Sequence, residues 1–379
     1  MRGRGDLRRY IRLPAELHKS HPKWTPPVYL DEWSYYNPKK NRSFGYSDAI
    51  LYLAWRDRKA IGRIMGIINH RANEYRKEKN ARFAWLECPN EPEVAHALLA
   101  SVEDWARARG MESCVGPLGF TDQEPEGLVI EGFDKEPTIA TNYNFPWLVD
   151  LVESAGYEKD VDYFVYHLSV VDNVHPRYAR ICRRLAERGG YRLVEFRKRR
   201  ELKTWVRRIL ALMNESFVDI YGYAPLDQVE MDELAKKYIP LLDPRFVKLV
   251  EQDGTVLAFI IAMPNIDEGL RRSRGHLFPF GVLHILSAMK RSKQLDLLLG
   301  AIKPGFRGRG LDAMLATAIM KSARDSGFET IDTHLELEGN TLVRAEMLRF
   351  EAKAAKKYRV YKKALQPPPG SRTRTPPPD

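Results

Sequence analysis

The chain carries one segment twice. "LAWRDRKAIGRIMGIIN" (Leu53 to Asn69) aligns without gaps on "LVEQDGTVLAFIIAMPN" (Leu249 to Asn265), matching Asp57 with Asp253, Ile61 with Leu257, Gly62 with Ala258, Gly66 with Ala262 and Asn69 with Asn265. Each copy reads as an apolar strand, a tight turn and a second apolar strand, which is a β-hairpin. Farther on, "ARARGMES" from Ala106 and "ARDSGFET" from Ala323 each end a helix on glycine and restart a strand. A repeated unit of this size implies a repeated core, so the 379 residues are expected to form two α/β halves, 1–172 and 173–366. The Pro-rich end, 367–379, is expected to be a disordered tail.

Between hairpin and glycine, each half has a strand and an amphipathic helix. In the first, "RFAWLEC" leads to a helix with Val94, Leu98, Val102 and Trp105 on one face and a predicted capping box of Asn90 with Glu93. In the second, "LDLLLGAI" leads to a stripe of Leu311, Met314, Leu315, Ala318 and Met320. The connections differ: "PNEPE" is acidic, whereas "KPGFRGRG" is basic and rich in glycine. Unpaired amides and a partial positive charge at a helix N-terminus attract phosphates, and glycine lets them come close. Only the second half is therefore expected to hold an anion, framed by Ile302, Lys303, Arg307, Gly308, Arg309, Gly310 and Leu311. Asp312 opposes this: a carboxylate about 6 Å from a diphosphate costs roughly 1 to 3 kcal/mol at intermediate dielectric. It could instead turn along the helix and bond its own first turn.

The net charge of +11 favours anionic partners without choosing among nucleic acid, phosphorylated cofactors and acidic membranes. Cys88, Cys114 and Cys182 lack the spacing of a disulfide framework or a thiolate metal site, and no metal is expected. The basic start has no apolar core behind it and no apolar run reaches spanning length, so a cytoplasmic protein is expected. A Walker loop, a dinucleotide fingerprint, H-E-x-x-H and G-x-S-x-G do not occur.

The basic loop resembles the acetyl-CoA signature R/Q-x-x-G-x-G/A of the GNAT acyltransferase superfamily, with Arg307 and Gly310 in the first two slots and Asp312 in the third. Three longer blocks are similar to the tandem GNAT-like proteins grouped with bacterial ceramide synthase, also called YghO-like. They are Gly116 to Tyr166, "HLFPFGVLHILSAMKRSKQLDLLLGAIKPGFRGRG", and the ending "ELEGNTLVRAEMLRF" with "KKYRVYKK". The resemblance implies two tandem GNAT domains, the C-terminal one carrying the CoA pyrophosphate loop. It implies acyl-CoA as donor and transfer of a fatty acyl group to the amine of a long-chain, sphingoid base. Two rivals stay open: an aminoacyl-tRNA-dependent transferase, and a non-catalytic nucleic-acid- or lipid-binding protein on the same scaffold. The intact phosphate loop weighs against the first, Asp312 and the basic charge suggest the second, and no nucleic acid is expected as a partner.

Direct attack of an amine on a thioester needs a base for the ammonium and an acid for the thiolate. "IDTHLELE" alternates, which predicts Ile331, Thr333, Leu335 and Leu337 on one strand face and Asp332, His334, Glu336 and Glu338 on the other. Carboxylates so placed raise one another's pKa; otherwise the face is merely solvated. Glu338 is the first choice of base because "ELEGN" matches the family's E-x-N, and Asn340 is expected to cap the next helix as well as mark the family. Tyr358 and Tyr361 are the candidate acids. For the acceptor, "NYNFPW" with Tyr143 and Asn144 supplies turn and aromatic surface, and Asp122, Glu126 and Asp134 either bind the ammonium or cap turns. Finally, "RRSRGHLFPFGVLHILSAMKRSK" (Arg271 to Lys293) is apolar between basic clusters. It reads either as a segment resting on an anionic membrane, which would place the protein at the inner face of the cytoplasmic membrane, or as a buried helix with basic ends.

Overall fold

In the computed structural model, which describes residues 3–171, 176–187, 190–218 and 220–366, both copies of the repeat lie in one continuous sheet. The expected boundary at 172/173 and the tail over 367–379 lie outside the described residues. The first half runs α1 (Arg4–Leu17), α2 (Tyr29–Tyr35), β1 (Ser47–Arg56), β2 (Lys59–Asn69), α3 (His70–Arg76), β3 (Asn80–Glu87), α4 (Pro92–Arg107), β4 (Ser113–Gly116), β5 (Leu128–Glu131), α5 (Trp147–Ser154) and β6 (Glu158–Ser169). The second runs α6 (Pro176–Glu187), β7 (Arg192–Glu195), α7 (Arg199–Ser216), α8 (Gln228–Tyr238), β8 (Val247–Gln252), β9 (Thr255–Pro264), α9 (Asp267–Ser273), α10 (Gly281–Arg291) and β10 (Gln294–Ile302). It ends with α11 (Leu311–Asp325), β11 (Thr330–Asp332), β12 (Glu336–Leu337), α12 (Thr341–Arg349) and β13 (Lys353–Ala364).

The repeated segments form β1–β2 and β8–β9. Their turns use the same backbone, with Asp57 and Arg58 in one and Asp253 and Gly254 in the other all at positive φ, the two-residue turn whose twist suits antiparallel strands. The matched asparagines also share a task. Asn69 Oδ1 accepts the Ala72 amide at 2.9 Å and Asn265 Oδ1 the Asp267 amide at 3.0 Å, each opening the next helix. Glycines at positive φ, Gly110 and Gly327, follow α4 and α11. One local expectation fails: α4 begins at Pro92 with Glu91 before it and no side-chain cap, so Asn90 and Glu93 form no capping box. Proline at the first helical position needs no partner for the amide it lacks.

The strand order is β1-β2-β3-β4-β13-β6-β11-β10-β9-β8-β7. Its centre is an exchange: β6, from the first half, pairs with β11 and β12 of the second, while β13, from the second, pairs with β4 and β5 of the first. The two exchanged strands pair with each other, from Lys353 opposite His167 to Lys362 opposite Glu158. Tyr361 therefore belongs to the core of α4 and α5, with Phe83, Leu98 and Tyr157. In the second half, α7 and α8 cover one face of β8–β10 and α11 the other.

Because each half lacks its own last strand, the full chain should unfold in one calorimetric transition. Two well-separated transitions would mean that the halves are independently stable.

Candidate active site

β10 pairs with β11 in parallel only over Gln294, Leu295 and Asp296, although β10 continues to Ile302. Beyond that point the strands part. Leu297, Leu298 and Leu299 are half-buried and Gly300 is exposed, in a strand that stands inside the sheet. A slip in the β9 pairing between Leu297 and Leu299 adds local twist. In the first half β3 and β4 likewise pair only from Asn80 to Arg82. There, however, Leu118 N–H donates to the freed Phe83 carbonyl at 2.9 Å, and a Cβ on Gly116 would lie 2.3 Å from that oxygen. Glu87 at the end of β3 is bonded by His18 Nε2 at 2.9 Å, with His18 stacked between Trp24 and Phe145.

The open gap ends at the loop before α11. Gly305, Gly308 and Gly310 all have positive φ, and a Cβ on Gly305 or Gly308 would meet nothing within 4 Å, so backbone there faces free space. Gly310 is the helix N-cap, without a side-chain cap. On its other side a Cβ would lie 2.7 Å from Ile181 of α6, which forms a wall. Lys303 Nζ pairs with Glu215 at 3.1 Å, Arg307 donates to the Ser216 carbonyl at 3.4 Å, and Arg309 lies over the Phe306 ring. Leu311 is fully buried and anchors the helix start, while Ile302 is half-buried beside Ala258. Asp312 does not cap its own turn: its Oδ1 is buried with no hydrogen-bond partner among the described residues. Free amides, glycine and arginine thus fit a diphosphate, against the pull of that one carboxyl.

The alternation expected over "IDTHLELE" breaks. β11 and β12 are separate, and five residues of this strand, Asp332 to Glu336, span four of β6, His167 to Phe164. The extra residue puts Asp332 and Glu336 on opposite faces. Asp332 bonds His167 Nδ1 at 2.6 Å, with the buried Lys356 at 3.5 Å. Glu336 has its pKa pushed up to about 8 by burial alone. His334 is lowered to about 4, chiefly by burial, against the backbone of Ala140 and Ile139. Glu338 is engaged: Lys159 Nζ lies at 2.7 Å, and the Asp162 amide donates to it at 3.1 Å. Asn340 caps α12 through the Val343 amide at 3.3 Å.

Tyr358 and Tyr361 are fully buried, not exposed on a strand, and donate to Thr141 Oγ1 at 3.1 Å and Glu153 Oε1 at 3.0 Å. The exchange carries Tyr361 into the first half's core and away from the α11 loop. Among the acceptor candidates, Asp134 is exposed and pairs with Lys135 at 2.9 Å. Tyr143 donates to the Phe133 carbonyl, and Asn144 pins β5 by bonding both Val129 N (2.7 Å) and Val129 O (3.2 Å).

Asp122 and Glu126 are brought together beside the turn that follows α7. Burial pushes Glu126 up to about 8, with Asp122 adding to it, and pushes Asp122 up to about 6. Glu126 Oε1 and the Tyr163 hydroxyl are both buried and interact with each other, which pulls the carboxyl's pKa back down in part. Over Glu126 lies the turn between α7 and α8, where a Cβ on Gly222 would be 3.3 Å from Oε1. Arg82 donates to the Gly222 carbonyl at 3.3 Å, and Tyr221 bonds Asp160. Tyr163 and Tyr221 share one cluster with Leu335 and Leu337, the residues on either side of Glu336. Sequence reasoning missed both tyrosines; the one local signal was "IYGYAP", a Tyr-Gly-Tyr turn between two helices.

The same arrangement of two halves is found in solved structures. A tandem GNAT protein from the clavulanic acid biosynthesis pathway superposes with a TM-score of 0.54 at 11% identity, covering 97% of each chain. The chain has the tandem GNAT fold. A GCN5-related N-acetyltransferase from Sphaerobacter thermophilus gives 0.53 at 13% identity, over 96% of this chain and 94% of that one. In sequence, this tandem GNAT chain is 28% identical over 369 residues to the bacterial ceramide synthase of Caulobacter vibrioides, spanning 95% of both. It is 24% identical over 373 residues to protein YghO of Escherichia coli, spanning 96% and 94%. No protein-family model matches it.

A carboxyl whose folded pKa is raised stabilises the fold fully below its unfolded value and loses that contribution as pH rises through the folded one. Glu126, raised from 4.5 to about 8, should therefore destabilise the native chain progressively between those values, relative to Glu126→Gln. The difference should reach on the order of 3 kcal/mol, read from urea unfolding at several pH values. A difference that does not change with pH would place the carboxyl in water.

Proposed function

We propose that the chain is an acyl-CoA-dependent N-acyltransferase that moves a fatty acyl group onto the amine of a long-chain base. The observation that carries this reading is the gap between β10 and β11, ending at a glycine-lined helix N-terminus with Arg307 and Arg309 beside it. Near-full-length similarity to a protein named bacterial ceramide synthase supports the acceptor class.

In this reading the α11 amides and the two arginines hold the donor's diphosphate, and Lys303 a further phosphate charge. The thioester arm lies in the gap along β10, beside the half-buried Leu298. The amine enters beneath Tyr221 and Gly222. Glu126, as carboxylate, takes the ammonium proton; the free amine attacks the thioester carbonyl; the C–N bond forms and the C–S bond breaks. As the intermediate collapses, Tyr163 protonates the departing thiolate and recovers a proton from the nitrogen that becomes the amide. A base near pH 8 suits this work, being close enough to neutrality to cycle. Glu336, on the other face of β12, faces the donor side.

The test is turnover by the purified protein with acyl-CoAs from acetyl to palmitoyl and long-chain amines such as sphinganine and 3-ketosphinganine. Amide product is expected with the longer donors, and its rate should rise with pH through about 8, the value for Glu126. Glu126→Gln should lower kcat on the order of a hundredfold and flatten that rise. Arg307→Ala should raise the donor KM by about tenfold or more with kcat less affected. No product from any pair would overturn the reading.

A further inference from the structure

The helix α10 presents its side chains in the reverse of the order a buried helix would. Its narrow side is turned inward: Gly281 and Ala288 are buried, and a Cβ on Gly269 of α9 would lie 2.6 Å from the Ile285 backbone, so the two helices cross at close range. The large side chains point outward. Phe278 is 77% exposed, Phe280 64%, Leu283 62% and Leu286 55%. Four such residues within nine positions form a contiguous apolar surface of the kind that folded chains usually cover.

Charge identifies the cover. Residues 267–293 hold six Arg or Lys against two carboxylates, and one of these, Asp267, is buried. Arg274 and Lys290, on either side of the apolar run, are exposed. Arg271, Arg272, Arg291 and Lys293 pair with Glu136, Glu268 and Glu329, so Arg274 and Lys290 are the cations that flank the apolar side chains. The two together match a bilayer with anionic headgroups, whose acyl boundary takes the apolar groups and whose phosphates take the cations. No helix among the described residues is long and apolar enough to cross a membrane, so the contact would be a shallow one.

We propose that the α9–α10 segment docks the protein on an anionic lipid surface, with Phe278, Phe280, Leu283 and Leu286 inserted and Arg274 and Lys290 against the headgroups. This docking does not rest on the acyl-transfer reading, because it is measured without donor or acceptor.

The experiment is co-sedimentation of the full chain with phosphatidylcholine vesicles, with or without one-third phosphatidylglycerol. Binding is expected to the anionic vesicles, at least about tenfold stronger than to the neutral ones and weakened by salt. Leu283→Asp with Leu286→Asp should lose about tenfold or more of it, and Arg274→Glu with Lys290→Glu should erase the preference for anionic lipid. All four are surface positions, so circular dichroism should stay as in the native chain. The proposal is overturned if the native chain stays in solution with anionic vesicles, or if both double variants sediment as it does. It is equally overturned if the chain is a dimer that Leu283→Asp splits, since a second copy would then be the cover.

Discussion

The pairing of β6 with β13 at the middle of the sheet is the contact on which the molecule depends. Each of these strands is bound on its other edge to the half it did not come from, so neither half can close its sheet alone. The seam also holds charge. Asp162 is fully buried on β6, and although burial by itself would raise its pKa, Arg359 and Lys357 of β13 hold it below the usual carboxylate range. Removing one side of such a buried pair leaves an uncompensated charge. The exchange therefore specifies the partner as well as joining to it.

Two gaps of the same form have different outcomes. In each half a parallel pair of strands separates after three residues, freeing backbone groups that must find partners. In the first half Leu118 supplies one, and His18, Trp24 and Phe145 stack at the end of β3. In the second, β10 stays half-exposed and leads to backbone that faces free space at Gly305 and Gly308. The same local geometry is closed in one half and left open in the other.

Several carboxyls near the open gap sit where burial disfavours their charge, Glu126 and Glu336 most of all. Such groups cost stability at neutral pH. The exposed leucines of α10 are a parallel case, because apolar surface left in water forgoes its burial energy. Both features cost the fold stability.

Much of the architecture was legible because it is local. The hairpin repeat, the helix stripes, the glycine stops and the basic loop depend on residues within a few positions of one another, where periodicity and turn chemistry act. The loop's candidates from Ile302 to Leu311 lie together for the same reason, and Asn340 caps its helix as its position required. Reading failed where a distant strand intervened. The single-residue slip against β6 separated Asp332 from Glu336, Lys159 engaged Glu338, and the exchange buried Tyr361 in the other half's core. Tyr163 and Tyr221 went unseen because they meet Glu126 only when β6, the α7–α8 turn and the first half's loop converge. The sequence by itself determined the repeated units and which of them carries the basic, glycine-rich loop, since these follow from short-range backbone preference and charge. Only the tertiary structure decided which strand closes each sheet and which carboxyls lose water, because pairing partners and burial are set by residues far apart in the chain.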